Sequence, residues 1–212
     1  MKKFLIIIIL TVLTMFSTNT SKAQDATALI VIAADQSESM FQSKHSDIQR
    51  DGFITAFANY VADCNNLQVD YIAWGDSTSV PVSARLINEK AVVDYAMALW
   101  PVSHYILSTT NHSLGLRAAL KQLAASDAQQ KVLVFTTDGV SNESRNWDLG
   151  RTIPADVMVY TISLGTEEIS NFVQKHIQPA TGGVHFHANN ADELTAKLEE
   201  VFAAAKTDLC LS

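Results

Sequence analysis

The chain has 212 residues and a formal net charge of −7. An acidic surface argues against nucleic acid and anionic lipid as partners, because each of them repels a negatively charged protein. The charge by itself identifies no partner, but a local concentration of carboxylates would attract cations.

The first 23 residues have the pattern of a secretory signal peptide. Two lysines precede the largely apolar run 4–16, and small residues at positions 21 and 23 suit cleavage after Ala23. The run is shorter than the ~20 residues of a membrane span, so no stable membrane insertion is expected after cleavage. Residues 24–212 fit one domain, with 12 basic and 22 acidic side chains. We expect a secreted or periplasmic protein.

Two cysteines, Cys64 and Cys210, lie far apart in the chain. Their separation excludes a C-x-x-C metal clip or redox motif. In an exported protein a single disulfide is the natural hypothesis, and two unpaired buried thiols are the alternative.

Apolar patterning predicts strands that alternate with helices. The predicted strands cover residues 28–34, 69–74, 79–84, 131–137, 157–163 and 184–187. The predicted helices cover residues 46–62, 89–99, 113–125, 167–177 and 191–205. Pro81 cannot donate to a ladder, so the third strand is expected at an edge, in a hairpin with the second. The pattern predicts an α/β fold: a Rossmann-like, doubly wound, mostly parallel six-stranded sheet with one antiparallel edge strand and helices on both faces.

Oxygen-bearing side chains follow the first predicted strand. Asp35 ends that strand, and hydroxyls follow at Ser37 and Ser39. This alternating spacing, in a loop at the carboxyl end of a buried strand, lets all three side chains point into one crevice. One carboxylate and two hydroxyls are hard oxygen donors of the kind that Mg²⁺ accepts. The alternative is an ordinary serine cap on the helix that follows.

Two later segments carry similar groups. Asp138 ends another strongly apolar strand, and Thr110 precedes a predicted helix. In an open α/β sheet, ligands bind beyond the carboxyl ends of the strands, where the strand order reverses. If the strands that end at Asp35 and Asp138 flank that reversal, their loops face each other across one crevice.

Together these segments resemble the metal-ion-dependent adhesion site of the von Willebrand factor type A domain. The matching residues are Asp35-x-Ser37-x-Ser39-Met40, Thr110-Asn111 and Thr137-Asp138-Gly139. The resemblance covers essentially all of the chain after the signal peptide, including the hairpin and the Thr181-Gly182-Gly183 segment before the last strand. In overall size the chain is most similar to small exported bacterial members of the family whose biological role is undefined.

The resemblance implies a bound divalent cation, usually Mg²⁺, with Mn²⁺ or Ca²⁺ as alternatives. Ser37, Ser39 and Thr110 would be direct ligands, and Asp35 and Asp138 would hold the ion directly or through water. One coordination position would stay open for an acidic side chain of an unidentified protein partner. In better-known members, ligand engagement is coupled to movement of the last helix.

The expected role is therefore an adhesion-type protein-binding module and not an enzyme. The alternative is a periplasmic scaffold or assembly component whose metal site is structural or degenerate. A nucleophilic role for Ser37 or Ser39 is disfavoured, because the chain has no G-x-S-x-G elbow. His185 and His187 alternate on a predicted strand, so they are either a metal-binding pair or ordinary strand residues.

The chain also departs from the family pattern. Glu38 stands where a small residue is common, and Ser108-Thr109 replaces a frequent Gly-Gly. Glu38 either strengthens cation binding by its charge or occupies the open coordination position. Trp147, in the loop after Asp138, either contacts the partner or packs beneath the loop. The family places the first and last helices side by side, which makes a Cys64–Cys210 disulfide plausible.

Overall fold

The computed structural model describes residues 28–59, 67–79, 82–85, 109–139, 153–165, 177 and 184–207. Within these residues the strands are β1 (Ala28–Asp35), β2 (Leu67–Trp74), β3 (Val82–Arg85), β4 (Gln130–Thr137), β5 (Val157–Leu164) and β6 (Val184–Ala188). The helices are α1 (Glu38–Gln42), α2 (His45–Asn59), α3 (His112–Ala125) and α4 (Ala191–Thr207).

The six strands form one sheet in the order β3-β2-β1-β4-β5-β6. All neighbouring strands are parallel except β3, which runs antiparallel to β2 at one edge. The chain moves outward from β1 through β2 to β3, and β4, β5 and β6 then extend the sheet on the other side. The strand order thus reverses between β1 and β4, and the predicted doubly wound fold is confirmed.

Strand β1 is buried along its whole length, because helices cover both faces of the sheet. Its side chains alternate between two apolar layers, as the pleat of a strand requires. Ile30 and Ile32 belong to the layer that α2 and α4 cover, whereas Leu29 and Val31 belong to the layer that α3 covers. An unbroken apolar run is therefore the sequence signature of this central strand.

Helices α2 and α4 pack closely at Gly52. A Cβ atom at Gly52 would lie 2.7 Å from Leu194 Cδ2, so a larger residue would push the helices apart. Thr195 Oγ1 donates a hydrogen bond of 3.2 Å to the Gly52 carbonyl. At the start of α4, Asn190 Oδ1 accepts a hydrogen bond from the Glu193 backbone N–H, and Asn190 Nδ2 donates one to the Glu193 carboxylate. Helices α2 and α4 correspond to the first and last predicted helices, and they are neighbours, as the resemblance implied.

Two local elements differ from expectation. Residues 38–42 form the short helix α1, where no helix was predicted. Ser37 occupies its N-cap position but makes no side-chain cap hydrogen bond, so the interpretation of Ser37 as an ordinary cap is wrong. Strand β3 is described from Val82, and Ser79, which was predicted to begin it, lies outside the strand; just before it, Thr78 forms an isolated antiparallel bridge with Trp74.

Several sequence predictions fall outside the described residues. They are the signal peptide, the helix over 89–99, the helix over 167–177 apart from Ile177, and the side chains of Cys64, Cys210 and Trp147. In the part of the chain that the structure describes, no helix combines the length and apolar character of a membrane span.

Candidate metal centre

The three predicted segments reach the same edge of the sheet. Asp35 is the last residue of β1, and Asp138 directly follows β4, the parallel neighbour of β1 at the reversal of strand order. Thr110 is 4% exposed and lies two residues before α3 begins. Because α3 leads into the start of β4, the opposite end of α3 lies at the carboxyl edge of the sheet. The fold therefore places all three segments around one crevice.

Three oxygen atoms of the crevice form a closely spaced row. Ser37 Oγ lies 3.1 Å from Ser39 Oγ, and Ser39 Oγ donates a hydrogen bond of 2.9 Å to Asp138 Oδ1. In an octahedral Mg²⁺ site with bonds of ~2.0–2.1 Å, neighbouring ligands lie about 2.9–3.0 Å apart. The row has the donor chemistry and the spacing of adjacent Mg²⁺ ligands. These residues therefore fit a divalent cation.

Asp35 lies beneath this row and is fully buried. Its Oδ1 accepts a hydrogen bond of 2.9 Å from the Ser37 backbone N–H, and its Oδ2 accepts one of 2.7 Å from the Thr137 hydroxyl. Burial raises the pKa of Asp35 to about 7; hydrogen bonds from Ser37 and Thr137 oppose this rise, and the charge of Asp138 adds to it. No salt bridge reaches Asp35 from the described residues. A nearby cation would compensate this buried charge.

Gln49 of α2 bridges the carboxyl ends of β1 and β4. It is fully buried. Its Nε2 donates a hydrogen bond of 2.9 Å to the Asp35 carbonyl, and its Oε1 accepts one from the Thr136 hydroxyl. Sequence reasoning missed this residue, although a glutamine on the same helical stripe as Phe53 and Ala56 is a usable signal for a buried polar contact.

His112 supports Asp35 from the α3 side. The buried imidazole packs edge-on against the rings of Trp74 and Phe135. Its Nε2 lies 3.1 Å from the Thr137 hydroxyl oxygen. The single Thr137 proton is donated to Asp35, so Nε2 carries a proton and donates to Thr137. Burial lowers the pKa of His112 to about 4, so the ring is neutral at pH 7 and supplies no positive charge to the site.

The two carboxylate oxygens of Asp138 have different neighbours. Oδ1 receives the Ser39 hydroxyl, whereas Oδ2 lies 3.1 Å from His45 Nδ1 and 3.3 Å from Ser43 Oγ. The side chain of Asp138 is only 3% exposed. Ser43 and His45 were not predicted as site residues, because no local pattern links them to a carboxylate more than 90 positions later.

The rim of the crevice is formed by α1. The Glu38 carboxylate accepts a hydrogen bond of 2.8 Å from Gln42 Nε2, one helical turn away. This bond holds Glu38 along its own helix. Phe41 on the same helix is 54% exposed. It was not predicted as a rim residue, whereas Trp147, which was, lies outside the described residues.

The histidines of β6 have other partners. His185 Nδ1 lies 2.8 Å from Thr161 Oγ1, and its Nε2 lies 3.3 Å from Ser163 Oγ. His187 Nε2 lies 2.9 Å from Asn189 Oδ1. Both nitrogens of His185 have hydroxyl partners, which favours the interpretation of the pair as ordinary strand residues. Among the described residues, no group of three or more His, Cys, Asp or Glu side chains is placed to hold a metal. The candidate centre therefore depends on hydroxyl oxygens.

A doubly wound sheet with a hydroxyl- and carboxylate-lined crevice at its reversal defines a class of α/β binding domain. The family model of the von Willebrand factor type A domain matches residues 30–203. The chain belongs to this family, as the resemblance of its motifs predicted. A search among curated proteins finds no match.

Solved structures of other proteins share the fold. One is proximal thread matrix protein 1 from the mussel byssus, described with a zinc-occupied MIDAS motif. It is 16% identical with a TM-score of 0.63, and the match covers 85% of this chain and 46% of the byssus protein. The pilus adhesin SpaC from Lactobacillus rhamnosus GG is 15% identical with a TM-score of 0.61, and the match covers 88% of this chain and 31% of SpaC. The PilB minor pilin from Streptococcus sanguinis is 15% identical with a TM-score of 0.66, and the match covers 88% of this chain and 63% of PilB. This chain spans less than two thirds of each of these proteins.

Proposed function

We propose that this chain is an exported protein-binding module that captures an acidic side chain of a protein partner through a bound divalent cation, with Mg²⁺ as its usual occupant. The observation that carries the proposal is the row of Ser37, Ser39 and Asp138 oxygens, spaced at 3.1 and 2.9 Å. Oxygen donors at this spacing suit Mg²⁺ or Mn²⁺.

The residues divide into direct ligands and supports. Ser37, Ser39 and Thr110 would bind the cation through their hydroxyls, and Asp138 would face it through Oδ1. Asp35 would act through its neighbours and through water, because both of its oxygens already accept hydrogen bonds inside the fold. The cation, when bound, supplies a fixed positive centre for a partner carboxylate.

The rim supports partner capture. Glu38 accepts a hydrogen bond from Gln42 of its own helix, which supports a coordination position that stays open for an outside carboxylate. Phe41 presents an exposed aromatic ring on the same helix, and aromatic side chains are frequent anchors at protein interfaces. The partner segment would then carry an apolar residue next to its acidic one.

Export and adhesion have separate supports. Export is supported by the signal-peptide pattern of the first 23 residues. An adhesion-type role is supported by fold similarity to a pilus adhesin and a minor pilin. A divalent ion in such a crevice is supported by the zinc-occupied site of the byssus protein.

We propose a binding role and not an enzymatic one. Ser43, His45 and Asp138 lie together and superficially suggest a hydrolytic triad. However, Ser43 Oγ and Asp138 Oδ2 both contact the same imidazole nitrogen, Nδ1 of His45. A triad needs the nucleophile and the carboxylate at different ring nitrogens, so that the imidazole can accept a proton from one side while the other orients it. This geometry is unsuited to that relay.

A peptide array tests the proposal without a known partner. Each acidic peptide is paired with its amide counterpart, in which Glu is replaced by Gln or Asp by Asn, and the array is probed in Mg²⁺ and in chelator. Binding is expected only in Mg²⁺, only to the acidic member of a pair, and not with the Ser37→Ala variant. If the protein binds Mg²⁺ in solution but no peptide pair shows this selectivity, carboxylate capture is wrong and the metal has a structural role in a scaffold.

A further inference from the structure

The two oxygens of Asp138 have different tasks. Oδ1 lies in the row of candidate ligands with Ser39, whereas Oδ2 is turned to the junction of α1 and α2. At that junction Ser43 Oγ and His45 Nδ1 lie 2.8 Å apart, and both are near Oδ2. One of these groups must supply the proton that holds Oδ2.

Counting protons identifies the donor. The Ser43 hydroxyl has one proton and three possible acceptors: the Ser39 carbonyl at 2.6 Å, His45 Nδ1 at 2.8 Å and Asp138 Oδ2 at 3.3 Å. The shortest of these bonds, to the Ser39 carbonyl, takes it. His45 Nδ1 then carries a proton, because a bare nitrogen lone pair would repel a carboxylate 3.1 Å away. Its two acceptors are Ser43 Oγ at 2.8 Å and Asp138 Oδ2 at 3.1 Å, and the charged carboxylate is the stronger acceptor.

The backbone is shaped to hold the His45 ring. Lys44 has a φ of 62°, in the left-handed region that non-glycine residues seldom adopt, and this turn leads directly into His45. On its other side the ring lies against Gly165, which follows β5 and has a φ of 69°. A Cβ atom at Gly165 would overlap His45 Nε2. A strained turn and a glycine both make room for this imidazole.

We infer that His45 is a positioning residue that restrains Asp138 to monodentate coordination and thereby sets the cation preference of the site. This inference rests on the proposed function and deepens it. With Oδ2 held by His45, only Oδ1 faces the cation. Mg²⁺ and Mn²⁺ need few ligands in near-octahedral geometry, whereas Ca²⁺ takes six to eight ligands and often both oxygens of one carboxylate. The restraint therefore favours the smaller ions.

Isothermal titration calorimetry with MgCl₂ and CaCl₂ tests this role. Loss of a hydrogen bond that supports a metal ligand typically weakens metal affinity by ~10–100-fold. His45→Ala is therefore expected to weaken Mg²⁺ binding by ~10–100-fold and to narrow the preference for Mg²⁺ over Ca²⁺. His45→Asn keeps an N–H donor near the place of Nδ1 and should restore both, whereas His45→Gln, which mimics Nε2, should not. Ser43→Ala should retain most of the affinity.

A purely structural role for His45 gives a different result. His45→Ala would then lower the melting temperature in chelator and leave the affinities and the ion preference unchanged, which overturns the inference. A double-mutant cycle of His45→Ala and Asp138→Asn, measured by melting in chelator, tests the pair without metal. Additive effects would also overturn it. If the wild-type protein binds neither ion, the proposed function fails, and the cycle separately decides whether His45 holds Asp138.

Discussion

The hydroxyl of Ser39 donates a hydrogen bond of 2.9 Å to Oδ1 of Asp138, a residue 99 positions later in the chain. This bond joins helix α1, which follows β1, to the residue that directly follows β4, across the reversal of strand order. The crevice also concentrates negative charge, because the buried Asp35 lies close enough to Asp138 for the charge of Asp138 to raise the pKa of Asp35. The native state therefore concentrates charge that the unfolded chain separates, and a cation that binds only the native state stabilises the fold.

Mg²⁺ is expected to raise the melting temperature above its value in chelator. At about ten to a hundred times Kd, binding to the native state contributes ~1.4–2.7 kcal/mol. For a domain of this size each kcal/mol shifts the melting temperature by ~2–4 °C, so the expected increase is ~3–11 °C. Differential scanning calorimetry with Mg²⁺, Mn²⁺ and chelator measures it. Equal melting temperatures in all three would contradict the metal site.

Two variants separate ligand loss from charge loss in that experiment. Ser37→Ala should remove the Mg²⁺ increment and change the melting temperature in chelator little, because it deletes a neutral ligand. Asp138→Ala should also remove the increment. In chelator, the melting temperature of Asp138→Ala is set by two opposing effects. Relief of the repulsion with Asp35 raises it, and loss of the hydrogen bonds from Ser39 and His45 lowers it.

Two large and opposing contributions to the pH dependence of stability come from Asp35 and His112 in the absence of metal. The pKa of Asp35 is about 7 in the folded protein and 3.8 ordinarily, so between these values the native state binds more protons and stability falls as pH rises. The pKa of His112 is about 4 when folded and 6.5 ordinarily, so over this range the unfolded state binds more protons and stability falls as pH decreases. Each slope is at most ~1.4 kcal/mol per pH unit, and the two nearly cancel between about pH 4 and 6.5.

Single variants should reveal the separate pH dependence of stability that each of the two residues contributes. In chelator, Asp35→Asn should become more stable as pH rises from about 4 to 6.5, because the contribution of His112 is then no longer opposed by that of Asp35. His112→Gln keeps a donor toward Thr137 and should become less stable as pH rises from about 4 to 7. Denaturant unfolding at several pH values measures both. Slopes of the same sign in the two variants would show that one of these buried groups is not shifted as described.

Gly115 is expected to be indispensable for packing. A Cβ atom there would lie 2.5 Å from Cγ of Trp74, whose ring is stacked on Phe135 with centroids 5.0 Å apart and has no room to move. Gly115→Ala should therefore cost ~1–3 kcal/mol and lower the melting temperature by ~2–12 °C. Gly139→Ala is the matched control, since a Cβ at Gly139 has no neighbour within 4 Å. Thermal melting that shows equal losses for the two variants would contradict this packing argument.

Phe41 should matter for partner binding alone. Phe41→Ala is expected to weaken metal-dependent binding to the selected acidic peptides at least severalfold, because the ring is exposed on α1, the helix that also carries Ser39. Val184→Ala is the control. Val184 is 48% exposed, but it begins β6 and therefore lies at the amino ends of the parallel strands, away from the site at their carboxyl ends. Both variants should keep the wild-type Mg²⁺ affinity and melting temperature. If both weaken peptide binding equally, the rim of α1 is not the contact surface.

The sheet and the main site segments were predictable because their signals are local. An unbroken apolar run indicates burial on both faces, as in β1, and Asp35 and Asp138 each stand where such a run ends. A strand end in a parallel sheet lies at a known edge, so the sequence predicted that the two carboxylates share an edge. Helix α1 escaped prediction because five residues are too few to show a helical period.

The sequence by itself determined which residues carry oxygen donors and at which strand ends they lie, because periodicity and residue chemistry are properties of neighbours in the chain. Only the tertiary structure decided that Ser39 meets Oδ1 of Asp138 while His45 meets Oδ2. It also decided that Gln49 ties the two strand ends together and that Gln42 holds Glu38 along its helix. Most of these contacts join segments far apart in sequence, and they depend on strand order, helix packing and the left-handed turn at Lys44, which no local pattern specifies.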